Sequence, residues 1–290
     1  MKSIGIVGYG YVGTAFAHMF DDQVGRYNDI RIFDPFLKQE PTLPPNQQFF
    51  SDETAGMIAI NGCDMAVVCV PTPSTDDGSC DTSIVEETVA WLETPVILIK
   101  STVKPGTVDK LKEMYPEKKI VFSPEYVGEG RYFVTQRMDF QTDMKKCPFF
   151  IAGGEPDAVA MVFDALVPLL GPEKTYYQCS ALEAELIKYM ENTYFGTKIT
   201  FAQEMYDIIK AHGGDWYKVW QGWALDPRVD IMHTAVFPDA RGFSGKCLPK
   251  DISALVKSSM EHGYKPDFLI EMLKSNARFN PNEPIRIKEV

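Results

Sequence analysis

The chain has 290 residues, with 40 acidic residues against 29 Lys or Arg, a formal charge of −11 and a 45% hydrophobic composition. That is a globular composition, long enough for one or two cores, and too acidic for non-specific nucleic-acid binding, which needs a basic surface to displace counterions. No apolar run approaches the roughly 20 residues of a membrane span, and the opening residues run as a strand into a glycine turn rather than as a signal peptide.

Strand-like apolar runs fall at residues 3–7, 30–33, 65–70, 96–99, 119–122 and 149–152, with helical stretches at 14–20, 85–91 and 108–114 between them. Such alternation predicts a parallel sheet covered by helices on both faces. A helix over 157–170, a Gly171-Pro172 break and a strand near 175–178 complete this half. Ser180, with Glu183 three residues on, forms a capping box for a long helix. Leu186, Met190, Thr193, Thr197 and Phe201 keep helical spacing along it, and Gly213-Gly214 stops it near His212. The remainder reads as further helices, with a loop over 226–245 and a helix opening near Pro249. The expected architecture is α/β. A Rossmann-like doubly wound parallel sheet occupies residues 1–178, and a helical domain built on the long helix occupies 179–290.

The first βα turn carries G-x-G-x-x-G at Gly8, Gly10 and Gly13, and Asp34 follows 21 residues after Gly13 at the end of the next strand. In this context the first glycine permits the tight turn. The second admits a pyrophosphate, and the third lets helix and strand pack closely. The pyrophosphate would rest on N–H groups at the helix start, where Tyr11 and Val12 lie. A carboxylate at Asp34 accepts from a ribose and repels a 2′-phosphate, and Pro35-Phe36-Leu37 brings no arginine. NAD is favoured over NADP.

Three later loops follow successive strands: Pro71-Thr72-Pro73, Lys100-Ser101-Thr102, and Ser123-Pro124-Glu125. The carboxyl ends of the strands are where doubly wound sheets bind ligands, so these loops should line one crevice. Lys188 and Asn192, four apart on the long helix, share a face and can aim a cation and an amide at a developing oxyanion. Cys247 sits among glycines and lysines just before a helix. That setting favours the thiolate and suits a nucleophile. The six cysteines show no C-x-x-C pair and read as reduced cytosolic thiols. The four histidines lack metal-ligand spacing, so no metal is expected.

Taken in order, the G-x-G-Y-V-G turn, the Val-Pro-Thr-Pro loop, the Lys-Ser-Thr loop, the Ser-Pro-Glu segment, the stretch 184–193 and Cys247-Leu248-Pro249-Lys250-Asp251 resemble the UDP-glucose/GDP-mannose dehydrogenase family over nearly the whole chain. The resemblance implies NAD-dependent, four-electron oxidation of a nucleotide-sugar primary alcohol to a carboxylate, in the cytoplasm. It makes Cys247 the nucleophile, through a thiohemiacetal and a thioester, and Glu125 the general acid/base. Thr102 and Asp251 would position the catalytic water, and Lys188 and Asn192 would stabilise oxyanions. Pro71, Thr72, Thr102 and Glu129 would join the cofactor site. Glu125, Lys188, Asn192, Arg228, Gly245 and Cys247 would bind substrate, Arg228 as the arginine lent by the twin subunit of a homodimer built on the long helix.

The chain departs from the family pattern in having Gly128 where an arginine is usual, Ser244 in place of a glycine, a longer loop before Cys247, and no C-terminal nucleotide-binding domain. Either the natural protein is short or this is a fragment, and a short protein could take the lid from a second protein, bind the nucleotide weakly or use a different sugar. Two other readings compete. One is a two-electron β-hydroxyacid-type dehydrogenase, which needs no cysteine. The other is an NAD-binding module without turnover.

Overall fold

The computed structural model describes residues 3–23, 27, 29–128, 143–283, 285 and 287. The chain divides into two compact units, Met1–Thr72 with Asp81–Lys188, and Pro73–Cys80 with Tyr189–Val290.

The first unit is one eight-stranded sheet in the order β3-β2-β1-β4-β5-β6-β7-β8. Its inner strands are β1 (Ser3–Val7), β4 (Met65–Val68), β5 (Ile97–Ile99) and β6 (Ile120–Phe122). Apart from Ser3 and Gly5 these are apolar at every position, and their side chains alternate between two cores. Ile4, Ile6, Met65, Val67, Leu98 and Val121 enter one cluster with Phe16, Val159 and Val162. Val7, Ala66, Val68, Ile97, Ile99, Ile120 and Phe122 enter the other with Val85, Val89, Val108 and Leu111. A parallel sheet buried on both faces needs this continuous apolar pattern. The first cluster is covered by α1 (Tyr11–His18) and α5 (Pro156–Leu170), and the second by α3 (Ser83–Trp91) and α4 (Thr107–Met114).

Three features depart from the expectation. β2 (Asp29–Phe33) is flanked by an edge strand, β3 (Gln47–Phe50), and a helix, α2 (Glu53–Asn61), neither anticipated. The Gln-Gln opening of β3 hid an edge strand, where only one neighbour supplies hydrogen bonds. α2 is capped by Asp52, whose carboxylate accepts from the Ala55 N–H at 2.8 Å. Third, β7 (Phe149–Gly154) runs antiparallel to β6, and β8 (Thr175–Cys179) parallels β7, so the sheet is not wholly parallel. Strand direction leaves no mark on an apolar run, so the sequence could not show the reversal.

The long helix α6 spans Ala181–Ala211. Its capping box forms as expected, the Glu183 carboxylate accepting from the Ser180 N–H and hydroxyl at 2.8 Å. The second unit adds α7 (Trp216–Trp223), α8 (Leu248–Glu261) and α9 (Asp267–Phe279). Its cores are Phe243, Ile252, Val256, Ile270 and Leu273 in one cluster, and Ala202, Ile209, Trp216 and Val236 in another.

Candidate active site

In the first unit the glycine turn has the shape a dinucleotide needs. Gly8 has φ +90°, and a Cβ there would come within 2.7 Å of the Cys69 carbonyl. A Cβ on Gly13 would lie 1.9 Å from the Gly8 carbonyl oxygen, so helix and turn touch through bare backbone. A Cβ on Gly10 would meet nothing within 4 Å. That open side leaves room for a pyrophosphate at a helix start that no side chain caps. Tyr11 and Val12 open α1, and the Tyr11 hydroxyl donates to the Gly128 carbonyl. Asp34, at the end of β2, accepts from the Tyr9 N–H at 2.8 Å and the Phe36 N–H at 2.9 Å. These bonds fix its carboxylate beside the turn, where it can also accept from a ribose.

The three loops expected to share a crevice are bonded to one another. The Thr72 hydroxyl, one residue after Pro71, donates to the Thr102 carbonyl at 2.8 Å, and the Ser101 hydroxyl donates to the Val70 carbonyl at 2.7 Å. Lys100, at the end of β5, reaches into the third loop. Its ammonium lies 3.2 Å from the Glu125 carboxylate and donates to the Ser123 hydroxyl at 3.2 Å and the Pro124 carbonyl at 3.0 Å. The other Glu125 oxygen accepts from the Tyr126 and Val127 N–H groups, both at 2.7 Å. Glu125 is thus a buried carboxylate held in one orientation by two amides and a buried cation. Lys188 places its ammonium 5.2 Å from the centroid of the Tyr126 ring. Glu129 lies outside the described residues.

In the second unit Cys247 is exposed and forms the N-cap of α8. One turn on, the Asp251 N–H donates to the Cys247 carbonyl at 2.8 Å. The buried Asp251 carboxylate takes the Asn192 side-chain amide at 2.5 Å and pairs with Lys250 at 2.7 Å. Burial opposes the Lys250 charge, but Asp251, Cys80 and Cys247 outweigh it and hold the ammonium above its ordinary pKa. Lys250 therefore stays cationic beside both the carboxylate and the thiol. Gly245, at φ +94°, gives the turn that enters α8. Arg228 is exposed, its guanidinium forked onto Asp226 at 2.6 to 3.1 Å.

Lys100 and Glu185 carry no expected role, although each stands inside a motif named above, and Lys250 is expected only as one of the lysines flanking Cys247. Each is a charge beside an expected site residue in an apolar or glycine-rich context, which was the available signal. Among the described residues no helix is long and apolar enough to cross a membrane.

Two sequence profiles match the chain, both of the UDP-glucose/GDP-mannose dehydrogenase family. Its NAD-binding domain matches residues 2–139 and its central domain residues 182–278. The UDP-glucose 6-dehydrogenase of Haloferax volcanii is 28% identical, over 99% of this chain and 71% of its own length. That of Pseudomonas aeruginosa is 26% identical, over 94% and 65%. The chain thus spans about two thirds of the length of these relatives. Among solved structures, a UDP-glucose dehydrogenase from Pyrobaculum islandicum aligns with a TM-score of 0.78 at 24% identity, covering 96% of this chain and 68% of that one. The 3-hydroxyisobutyrate dehydrogenase of Mycobacterium tuberculosis aligns at 0.66 and 16%, covering 98% and 95%. At these identities the structural matches establish a shared fold.

Proposed function

Because the chain belongs to the UDP-glucose/GDP-mannose dehydrogenase family, we propose that it is an NAD-dependent nucleotide-sugar dehydrogenase that oxidises the C6 alcohol of a UDP-glucose-like substrate to the uronic acid. NAD, when bound, supplies the hydride acceptor, two equivalents for each alcohol converted to acid. Gly8, Gly10, Tyr11, Val12, Gly13 and Asp34 hold it, with Pro71, Thr72 and Thr102 bordering the site.

The protein's own groups divide the remaining work. Glu125 moves the proton of the reacting oxygen, its free movement restricted by Lys100. Lys188 and Asn192 offset negative charge on that oxygen. The Cys247 thiolate adds to the aldehyde carbon, giving a thiohemiacetal that can lose a second hydride where the bare aldehyde cannot. Water then cleaves the resulting thioester and frees the thiol, with Asp251 and Thr102 orienting the water. Gly245 leaves room beside Cys247 for the sugar, and Arg228 is the substrate arginine supplied across a homodimer.

The observation that carries the four-electron reading is the exposed Cys247 at the start of α8, one turn from a buried Asp251 already bonded to Asn192. A two-electron dehydrogenase has no use for that thiol. The six cysteines include no C-x-x-C pair, a pattern that suits reduced thiols of the cytoplasm.

The test is to incubate the chain with NAD and a panel of UDP- and GDP-sugars and count NADH against sugar consumed. Two NADH per sugar are expected from the native chain. Cys247→Ser should form acid at least about a hundredfold more slowly. One NADH per sugar, or acid formation unchanged by the substitution, would rule out the thioester route. NAD binding without reduction on any sugar of the panel would favour a silent binding module.

A further inference from the structure

Among the described residues the buried carboxylates are Glu125, Glu185 and Asp251, and only Glu185 has no part in the chemistry above. It is wholly inaccessible, on the second turn of α6, yet it bonds to a distant loop. Its oxygens accept from the Gly106 N–H at 2.5 Å and the Val108 N–H at 3.0 Å. Those are donors of the α4 N-terminus, which begins after Gly106 at φ +87° and has no side-chain cap of its own. A carboxylate there meets two orphan N–H groups and the positive end of the helix dipole.

The loop so held runs from the end of β5 to α4 and carries Thr102. Its first half is fixed by the bonds of Ser101 to Val70 and of Thr72 to Thr102. Its second half is fixed by Glu185. Only an ionised carboxylate accepts at both oxygens with full strength. A neutral acid or a glutamine would turn a hydrogen toward one of the two donors.

We propose that Glu185 is a positioning residue for the reaction, its carboxylate clamping Gly106 and Val108 and so fixing the loop that presents Thr102. This rests on the reading of Thr102 as a holder of the catalytic water. The clamp is titratable. Burial pushes the Glu185 carboxyl up to about 7, against the pull of its two amide bonds, and Asp109 on α4 adds to the rise. Among the described residues no cation is a named cause of the shift. β7, against which α6 packs at Gly153, has no ionisable group, and on α6 itself Glu183 bonds to Ser180 while Lys188 lies over Tyr126. Above about pH 7 the clamp is set, and below it the clamp weakens.

The experiment measures kcat and KM from about pH 6 to pH 9 for the native chain and Glu185→Gln, with thermal melting of both. In Glu185→Gln at about pH 8, kcat for acid formation should fall about tenfold while KM for NAD stays within about twofold. The native kcat profile should contain an ionisation near 7 that the variant lacks. A variant with native kcat and native profile overturns the proposal, and so does one that loses NAD binding as much as turnover.

Amide hydrogen exchange at Gly106 and Val108 in the native chain reads the clamp without activity, and so also covers a variant that does not fold. Protection beyond the intrinsic pH dependence should weaken as pH falls through 7, and protection indifferent to pH overturns the clamp. Failure of the native chain to oxidise any nucleotide sugar would remove the role of Thr102, while exchange at the two amides would still decide whether Glu185 holds the loop.

Discussion

A buried carboxylate and a half-buried histidine set opposite slopes on stability against pH. Glu185 has a folded pKa of about 7, above its ordinary value of 4.5. The folded state therefore holds this proton more tightly than the unfolded chain. The stability it contributes is complete below about pH 4.5 and is lost as pH rises through about 7, a difference of about 3 kcal/mol at most. His233 does the reverse. It stacks on Phe195 with ring centroids 4.0 Å apart, and burial, helped by Lys198, lowers its pKa from 6.5 to about 4. Its contribution is complete above about pH 6.5 and is lost as pH falls toward 4.

Urea unfolding across this range should show Glu185→Gln losing less stability than the native chain between about pH 5 and pH 8. His233→Asn should lose less on acidification, asparagine being able to keep the φ of 64° found at this position. Parallel curves for all three proteins would show that neither group titrates on folding. The ionised Glu185 thus costs stability, as expected of a carboxylate kept for what it positions.

Candidate site residues stand out in the sequence where their context is rare, as with Cys247 among glycines and lysines or Asp34 after a strand. Lys100 was not, because a lysine ending an apolar strand looks like the start of a solvated loop. Only the fold reveals that it turns inward to Glu125.

At the scale of the element, the glycine turn separates folding from binding. Gly13 and Gly10 belong to the same motif, but only Gly13 is pressed against backbone. Gly13→Ala must push α1 away from the Gly8 carbonyl and should cost on the order of 2 kcal/mol, as overpacking at a rigid contact does. NAD binding should be lost with it. Gly10→Ala puts its methyl in open space, so its melting temperature should stay near that of the native chain while NAD affinity drops at least about tenfold. Calorimetric titration with NAD beside thermal melting distinguishes the two. A Gly10→Ala chain that binds NAD normally would place the pyrophosphate elsewhere.

The same contrast explains which elements could be read in advance. β1, β4, β5 and β6 lie inside the sheet and are apolar almost throughout, because both their faces are buried. α6 was legible from its Ser180–Glu183 box and its length. β3 was hidden by its polar opening, and α2 by its closeness to that strand. The reversed β7 was hidden because antiparallel and parallel pairing place the same side chains in the same cores.

At the scale of the molecule, α6 carries a row of large apolar side chains that stand exposed among the described residues. Met190 is 76% exposed, and Tyr194, Phe201 and Ile208 are between 43% and 52% exposed. Their spacings of four, seven and seven residues keep them within an arc of roughly 40° on the helix. Beside them Tyr194, Phe201, Trp223, Arg228 and Phe268 line a cavity of about 620 Å3. An apolar stripe of this length, rimmed by charge, is what the proposed homodimer would bury. In that homodimer the same stripe on a second copy would supply the complementary face, as a two-fold contact between identical chains requires. Light scattering at micromolar concentration should therefore return twice the 32.7 kDa of the chain. Met190→Glu places a carboxylate on the most exposed of the four and should return the monomer mass, with the far-UV circular dichroism unchanged. If Arg228 acts on the substrate of the neighbouring subunit, the same variant should lose turnover in step with the dimer, and concentration should restore both together. A native chain that scatters as a monomer, or a monomeric variant that turns over as fast as the native dimer, would leave the stripe without this role.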